Sequence, residues 1–186
     1  ELQVARDVQA SFIPNQVPRI AGWEIAAWGQ PARAVSGDFY DFVPRPDGSL
    51  AVVIADVSDK GMPAALFMAL SRTITRASLT SDRPLNSAIE RANRLISADA
   101  TNGMFVTMAC MTVAPNAQQV TFVNAGHNPP FLFRPSNQSM TLINRTGILL
   151  GLDEDAAFDE HTIAINPDDL IVLYTDGVTD ATSPDE

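Results

Sequence analysis

The chain has 186 residues, of which 46% are hydrophobic and 18% charged, and its formal net charge at pH 7 is −10. This length is enough for one domain with a substantial core, and the hydrophobic content excludes an intrinsically disordered protein. The negative charge argues against nucleic acid as the main partner, and the longest apolar runs are too short for a membrane span. The single cysteine, Cys110, cannot form an internal disulfide, and we expect a cytoplasmic protein.

The first third of the sequence predicts a helix, a strand and a β-hairpin, in that order. Apolar residues recur at helical spacing from residue 1 to about residue 12, and Pro14 ends this pattern. Alternating apolar residues predict a strand at 23–30. Residues 38–43 and 50–57 are joined by a Pro-Arg-Pro-Asp-Gly turn. We expect these two segments to pair as a hairpin whose second strand is central in its sheet.

Two helices and then a run of strands are predicted for the rest of the chain. The first helix begins near Met62 with Pro63 in its first turn, and the second runs from about Pro84 to Ala98. Six strands follow, at about 105–113, 119–124, 130–133, 139–142, 161–165 and 169–174. Strands on both sides of a helix pair predict an α+β fold in which two sheets pack together with helices outside.

Three aspartate-rich motifs adjoin apolar, strand-like stretches. They are Ser-Gly-Asp-Phe-Tyr-Asp (36–41), Ala-Asp-Val-Ser-Asp-Lys-Gly (55–61) and Tyr-Thr-Asp-Gly-Val-Thr-Asp (174–180). A single aspartate of this kind often serves in a turn or a helix cap. Several carboxylates at the ends of buried strands are costly to desolvate and repel one another, so a cation usually accompanies them. Because oxygen ligands suit Mg²⁺ or Mn²⁺, the motifs predict a divalent metal site.

Four motifs occur in a characteristic order along the chain. These are the first and third motifs above, together with Val-Ile-Ala-Asp-Val-Ser-Asp-Lys-Gly (53–61) and Asn-Ala-Gly-His-Asn-Pro-Pro (124–130). They closely resemble the bacterial, SpoIIE- and RsbU-like branch of the metal-dependent PPM serine/threonine phosphatases. The resemblance implies a four-layer α-β-β-α sandwich of two mostly antiparallel sheets flanked by helices. It also implies that residues 1–14 are a connecting helix from an upstream regulatory domain and that 15–186 are the phosphatase domain.

The resemblance assigns metal-binding roles to four residues. Asp56 matches the ligand that bridges two metal ions, and Val57 would offer its backbone carbonyl to one of them. Asp38 matches the acid that holds the second ion, and Asp176 matches the ligand on the late strand. Members of the family bind two Mn²⁺ or Mg²⁺ ions and use a metal-bridging water as nucleophile. The three aspartates would therefore act in catalysis through that water.

Other polar residues near these motifs are weaker candidates. Arg33 could bind the substrate phosphate through its guanidinium group, although a solvated loop arginine has the same pattern. Asp41, Asp59 and Asp180 could orient water molecules at the metals. His127 could be a general acid or base, but a histidine between two strands more often stabilises a turn by hydrogen bonds.

The sequence departs from the family pattern in two places. Ser36 stands where the family usually has a second glycine in the first motif, which is a small change. The family also usually has a further acidic motif on a last strand, and none follows Asp180 before the chain stops at Glu186. These 186 residues therefore supply an incomplete metal shell, either because the C-terminal end of the domain is missing from them or because the natural protein lacks this motif.

The resemblance implies a phosphatase for phosphoserine or phosphothreonine, with a phosphorylated anti-sigma-factor antagonist of a partner-switching pathway as the expected substrate. The helical start of the chain suggests an upstream sensor domain in the same polypeptide and a homodimer formed through the N-terminal helix. Two other classes stay open. The domain could be a catalytically silent module that docks the phosphoprotein, or a metal-dependent hydrolase of a small phosphate ester.

Overall fold

The computed structural model describes residues 1–31, 34–101 and 103–181. Within these ranges the chain forms four helices and eight strands. They are, in chain order, α1 Leu2–Phe12, β1 Phe39–Pro44, β2 Leu50–Val57, α2 Met62–Leu79, α3 Leu85–Asp99, β3 Val106–Val113, β4 Gln119–Ala125, β5 Phe131–Arg134, β6 Ser139–Leu142, β7 His161–Ala164, β8 Leu170–Val172 and α4 Asp176–Thr179. The hairpin, the two central helices and the six later strands lie where the sequence predicts them. No helix in the described ranges is long and apolar enough to cross a membrane.

Two antiparallel sheets and a helix pair make up the domain. The larger sheet has the strand order β1-β2-β3-β4-β7 and the smaller has the order β6-β5-β8, and every neighbouring pair is antiparallel. Helices α2 and α3 pack against each other and against the larger sheet, α2 on β1 and β2 and α3 on β4. Two sheets with flanking helices confirm the predicted α+β sandwich, and β2 is central in its sheet as expected.

Two hydrophobic cores lie on opposite faces of the larger sheet. The first fills the space between this sheet and the α2–α3 pair and includes Met68, Ile89 and Met108. The second lies between the two sheets and includes Phe122 and Leu132. Because side chains alternate across a strand, the odd-numbered residues of β2 enter the first core and the even-numbered ones face the second. This alternation fixes the face on which each polar residue of the hairpin lies.

Asp41 lies on the helix-facing side of the larger sheet, away from Asp56. It pairs with Val53 in the β1–β2 register, so its side chain points to the face that α2 covers. Its Oδ1 accepts a hydrogen bond from Arg76 Nη1 at 2.7 Å, and its Oδ2 lies 3.1 Å from Arg72 Nη2. The prediction that Asp41 orients water at the metals is therefore wrong. Its buried carboxylate instead joins β1 to α2.

The predicted strand at 23–30 is also wrong. An isolated bridge joins Ile20 to Trp23, and the rest of the segment forms no strand. The apolar alternation is explained by packing, because Trp23 and Ile25 lie against the second core. In addition, Trp23 Nε1 donates a hydrogen bond to the carbonyl oxygen of Ala114 at 2.9 Å. Alternation shows which side chains are buried, but it does not show whether a neighbouring strand is available to pair.

Asp41→Asn is expected to lower the free energy of unfolding by about 3 kcal/mol, because it leaves Arg72 and Arg76 without their buried counter-charge. Urea denaturation at neutral pH measures this effect. Asp155→Asn is the matched control, since Asp155 is exposed and its substitution should change the free energy of unfolding by less than about 0.5 kcal/mol. Equal effects of the two substitutions would show that the Asp41 ion pairs do not hold α2 to β1.

Candidate metal centre

Asp38 and Asp56 meet at one end of the larger sheet. Asp56 is the penultimate residue of β2, and Asp38 directly precedes β1. The last register pair of these strands is Phe39 with Ala55, so Asp38 and Asp56 come opposite each other and on the same face. Their carboxyl groups interact, because the Asp38 side chain is one of the causes that raise the pKa of Asp56. The structure thus brings together two of the predicted ligands, on the face opposite to Asp41.

The pKa of Asp56 is raised from its ordinary value of 3.8 to about 8. Burial is the largest cause, followed by the hydrogen bond with Asp38, the charge of Asp38 and the charge of Asp176. The charge of Lys60 lowers the pKa but does not offset these effects. At neutral pH, Asp56 therefore keeps a proton unless a cation neutralises the pair.

Asp176 approaches the pair from the end of the smaller sheet. It is the first residue of α4, shortly after β8, and its side chain is exposed. The preceding residue, Thr175, donates a hydrogen bond from its Oγ1 to Asp38 Oδ2 at 2.9 Å, so the first and last aspartate motifs touch. In the described ranges, no group of three or more His, Cys, Asp or Glu side chains is already close enough together to hold a metal ion. The centre is therefore a close pair, Asp38 and Asp56, with Asp176 as a third charge nearby.

The loop of residues 36–38, called here the 36–38 loop, lies directly against the end of β2. A Cβ atom on Gly37 would be 2.8 Å from the carbonyl oxygen of Val57 and 3.3 Å from Asp56 Oδ1. Glycine, which has no Cβ, therefore allows an approach that other residues would block. The contact brings the Val57 carbonyl, another predicted ligand, beside the carboxylate pair.

The donor set fits a hard divalent cation. Asp38, Asp56 and the Val57 carbonyl offer oxygen atoms, which Mg²⁺ and Mn²⁺ prefer. The raised pKa of Asp56 also shows that the charged side chains around the pair do not neutralise it. A cation at this place would relieve the repulsion between the carboxylates, so the residues present fit the ions that the sequence predicts.

The chain turns sharply between β2 and α2. Asp59 and Gly61 have positive φ angles of 72° and 80°, which direct the chain from the end of β2 into the helix. Ser58 fixes this turn to the start of β3, because its N–H donates to the Phe105 carbonyl at 2.9 Å and its Oγ accepts from the Phe105 N–H at 2.9 Å. Helix α2 therefore begins from an anchored turn that directly follows the Val57 carbonyl.

Three other predicted site residues are not assigned by the structure. Asp59 is exposed in the turn after β2, and Asp180 is exposed at the end of α4, where its N–H donates to the Asp176 carbonyl at 2.7 Å. Their role in orienting water stays a prediction. Arg33 lies outside the described residues, so its contact with a substrate phosphate stays a prediction as well.

His127 is a buried hydrogen-bonding residue behind the centre, with 1% of its surface exposed. Its Nε2 lies 3.1 Å from the carbonyl oxygen of Tyr174, which can only accept, so Nε2 carries the hydrogen. Its Nδ1 then accepts from Thr107 Oγ1 at 2.8 Å. Burial lowers the pKa of His127 to about 4, so the ring is neutral. Because Thr107 is the register partner of Asp56, the histidine ties the segment before Asp176 to the strand beside Asp56.

Sequence reasoning missed two residues that organise the centre. Thr175 could have been noticed from its place in the last motif, directly before Asp176. Thr107 gave no such signal, because its position opposite Asp56 depends on the register between β2 and β3. Both residues contribute hydroxyl groups, which support the site without supplying charge.

The chain is similar to proteins of one family over most of its length. The family model of Stage II sporulation protein E (SpoIIE) matches residues 46–186. Protein IcfG from Synechocystis is 33% identical over 211 residues, which cover 99% of this chain and 33% of that protein. The phosphoserine phosphatase RsbU from Bacillus subtilis is 29% identical over 180 residues, which cover 97% of this chain and 53% of that protein. This chain thus spans between a third and about half of the length of these curated relatives.

A solved structure shares the fold. The crystal structure of the RsbU and RsbW domains of Rv1364c from Mycobacterium tuberculosis matches with a TM-score of 0.69 and 26% sequence identity. The match covers 81% of this chain and 42% of that chain. Together with the relatives, it confirms the resemblance that the four ordered motifs predict.

Gly37→Ala is expected to weaken Mn²⁺ binding by about 10- to 100-fold, because the new Cβ would displace the 36–38 loop from Val57 and Asp56. Isothermal titration calorimetry measures the affinity, and far-UV circular dichroism checks that the variant is folded. Gly177→Ala is the control at the same centre, since its Cβ would lie 3.6 Å or more from its neighbours. Unchanged Mn²⁺ affinity in folded Gly37→Ala would contradict the importance of this close approach.

Asp56 is expected to make the metal-free protein less stable as the pH rises from about 4 to about 8. In this window the unfolded chain loses the Asp56 proton while the folded protein keeps it, so unfolding is increasingly favoured. Below this pH window, Asp56 is protonated in both the folded and the unfolded protein. Above it, Asp56 is ionised in both, and the loss of stability has reached its full value.

Asp56→Asn removes the pH-dependent destabilisation caused by Asp56. The variant should therefore become more stable relative to the wild type as the pH rises, as judged by the difference between their free energies of unfolding. Urea denaturation in EDTA at about pH 5 and about pH 8 measures the difference. A difference that does not change with pH would show that the pKa of Asp56 is not raised in the folded protein.

Proposed function

The chain belongs to the SpoIIE family, and we propose that it is a metal-dependent phosphatase acting on phosphoserine or phosphothreonine in a signalling protein. The observation that carries the proposal is the facing carboxylate pair of Asp38 and Asp56, in which burial and the shared negative charge raise the pKa of Asp56. Such a pair beside a backbone carbonyl suits the binding of divalent cations that act on a phosphate ester. The name of RsbU, a phosphoserine phosphatase, supports the same reaction.

Asp38, Asp56, the Val57 carbonyl and Asp176 would hold two divalent cations, Mn²⁺ or Mg²⁺. When bound, these cations supply an activated water and neutralise the oxygens of the phosphoryl group. The protein's own part is to hold the ligands in place. Thr175 fixes one oxygen of Asp38 by its hydrogen bond, and this restricts the rotation of the carboxylate.

Three further residues are proposed to act on the substrate or on water at this site. Arg33 would bind the substrate phosphate, because a guanidinium group matches two phosphate oxygens at once. Asp59 and Asp180 would orient water molecules, since both are exposed and follow the ligands Val57 and Asp176 closely in the chain. These three roles are proposed in addition to the metal-binding role of Asp38 and Asp56.

A covalent phosphoenzyme on cysteine does not fit the structure. Cys110 is fully buried on β3. Burial raises the pKa of its thiol to about 12, so the nucleophilic thiolate is not formed near neutral pH. This supports water as the nucleophile.

The proposed substrate is a phosphorylated anti-sigma-factor antagonist of a partner-switching pathway, and the proposed location is the cytoplasm. Both relatives extend well beyond the matched region, which supports a regulatory domain in the same polypeptide as the phosphatase domain of residues 15–186. Leu2, Val4 and Val8 of α1 are exposed apolar residues, and they support a homodimer formed through this helix.

Asp56→Asn is expected to reduce phosphate release from such a phosphoserine protein to the background rate, because it removes the ligand expected to bridge both cations. The assay follows Mn²⁺-dependent phosphate release by the full-length polypeptide and by the 186-residue chain. Asp155→Asn is the control. Asp155 is exposed and lies outside the four motifs, so this variant should keep wild-type turnover.

The outcomes separate the candidate functions. Turnover that needs Mn²⁺ and Asp56 supports the phosphatase. Binding of the phosphoprotein without any turnover by the wild type would identify a docking module instead. Hydrolysis of p-nitrophenyl phosphate without hydrolysis of the phosphoprotein would favour a hydrolase of small phosphate esters.

A further inference from the structure

Helix α1 exposes its apolar residues and buries a polar one. Leu2 and Val8 are 58% and 51% exposed, whereas Gln9 is 9% exposed and is the buried residue of the helix. An amphipathic helix that merely covers a core would show the opposite arrangement. A buried amide is costly unless its hydrogen bonds are satisfied, so the partners of Gln9 explain how the helix is held.

Both polar atoms of the Gln9 amide bind the backbone of a single residue, Ser36. Gln9 Nε2 donates to the Ser36 carbonyl at 2.8 Å, and the Ser36 N–H donates to Gln9 Oε1 at 2.9 Å. The side chain thus satisfies both main-chain groups of Ser36, as a neighbouring β-strand would do. This matters because Ser36 precedes β1 and has no strand partner of its own.

The Gln9 contact continues to the metal centre within two residues. Because Gln9 binds the backbone of Ser36, the Ser36 hydroxyl stays available, and its Oγ accepts a hydrogen bond from the Asp38 N–H at 3.0 Å. The Asp38 carboxylate is held from the other side by Thr175. Gly37, between them, lies against the end of β2. The 36–38 loop is therefore fixed at three points, and Gln9 is the point that comes from α1.

We propose that Gln9 is a positioning residue that sets the metal affinity of the centre by holding the 36–38 loop, and with it Asp38, against the end of β2. The inference rests on the proposed function, because Asp38 matters in this way only if the centre binds cations. Because its amide is bound to the Ser36 backbone, Gln9 would contact neither the substrate nor the cations. Its effect passes through Ser36.

The experiment compares Gln9→Leu with Gln3→Leu in the 186-residue chain and in the full-length polypeptide. Both changes remove an amide from the same helix and add the same apolar side chain. Gln3 is exposed and bonds within α1, to Asp7 Oδ1 at 2.9 Å, so it controls for effects on the helix itself.

Gln9→Leu is expected to weaken Mn²⁺ binding by about 10-fold, measured by calorimetry without any substrate, whereas Gln3→Leu leaves it unchanged. At saturating Mn²⁺ the KM for the phosphoprotein should stay at the wild-type value, because Gln9 does not contact the substrate. Hydrogen exchange of the Ser36 and Asp38 amides should become faster in Gln9→Leu, since both lose protection when the loop is released.

Wild-type Mn²⁺ affinity in Gln9→Leu would overturn the proposal, and so would equal losses in the two variants, which would indicate a general effect on α1. A raised KM at unchanged Mn²⁺ affinity would also overturn it. If neither the wild-type chain nor the full-length polypeptide binds Mn²⁺, the proposed function is wrong. The statement that Gln9 sets the metal affinity is then wrong as well. Amide exchange in the 36–38 loop would still decide whether Gln9 holds that loop.

Discussion

Repulsion between carboxylates at one end of the larger sheet is the constraint on which the site depends. Asp38 and Asp56 face each other across β1 and β2, and Asp176 adds a third negative charge. Groups that repel one another do not converge by themselves, so the scaffold must hold them together. In the absence of a cation, the system responds by keeping a proton on Asp56, whose pKa is raised to about 8. A cation and that proton therefore compete for Asp56, because either one reduces the repulsion between the carboxylates.

The scaffold meets this constraint with contacts that carry no charge. The strand register places Asp38 opposite Asp56, and the missing side chain of Gly37 lets the loop lie against Val57. Thr175 adds a hydrogen bond to Asp38. Neutral groups of this kind fix position without cancelling the negative potential, so the attraction for a cation is preserved. A lysine or arginine ion pair at the same place would have held the carboxylates and removed that attraction.

Much of the fold and part of the centre could be predicted from the sequence. Apolar periodicity gave the central helices and the strand pairs, and the motifs gave the aspartates that the structure brings together at one end of the sheet. The error at Asp41 could have been avoided, because Asp38 and Asp41 are separated by an odd number of positions and so lie on opposite faces of an extended segment. The false strand at 23–30 could not have been avoided in this way. Its alternation reflects burial of Trp23, and pairing depends on neighbours that are distant in sequence.

Asp41, which is buried, and Asp56, which is half-buried, lie on opposite faces of the hairpin and have opposite electrostatic surroundings. Asp41 is paired with arginines of α2, which close the helix onto β1. Asp56 faces another carboxylate instead, and the nearby charge of Lys60 does not offset the effects that raise its pKa. Helix α2 connects the two arrangements, because it begins just after the turn that follows Val57 and carries the arginines that bind Asp41. A displacement of α2 along its axis would strain the Asp41 pairs and the turn beside Val57 together. The ion pairs on one face therefore stabilise the position of the Val57 carbonyl, which is a proposed metal ligand on the other face.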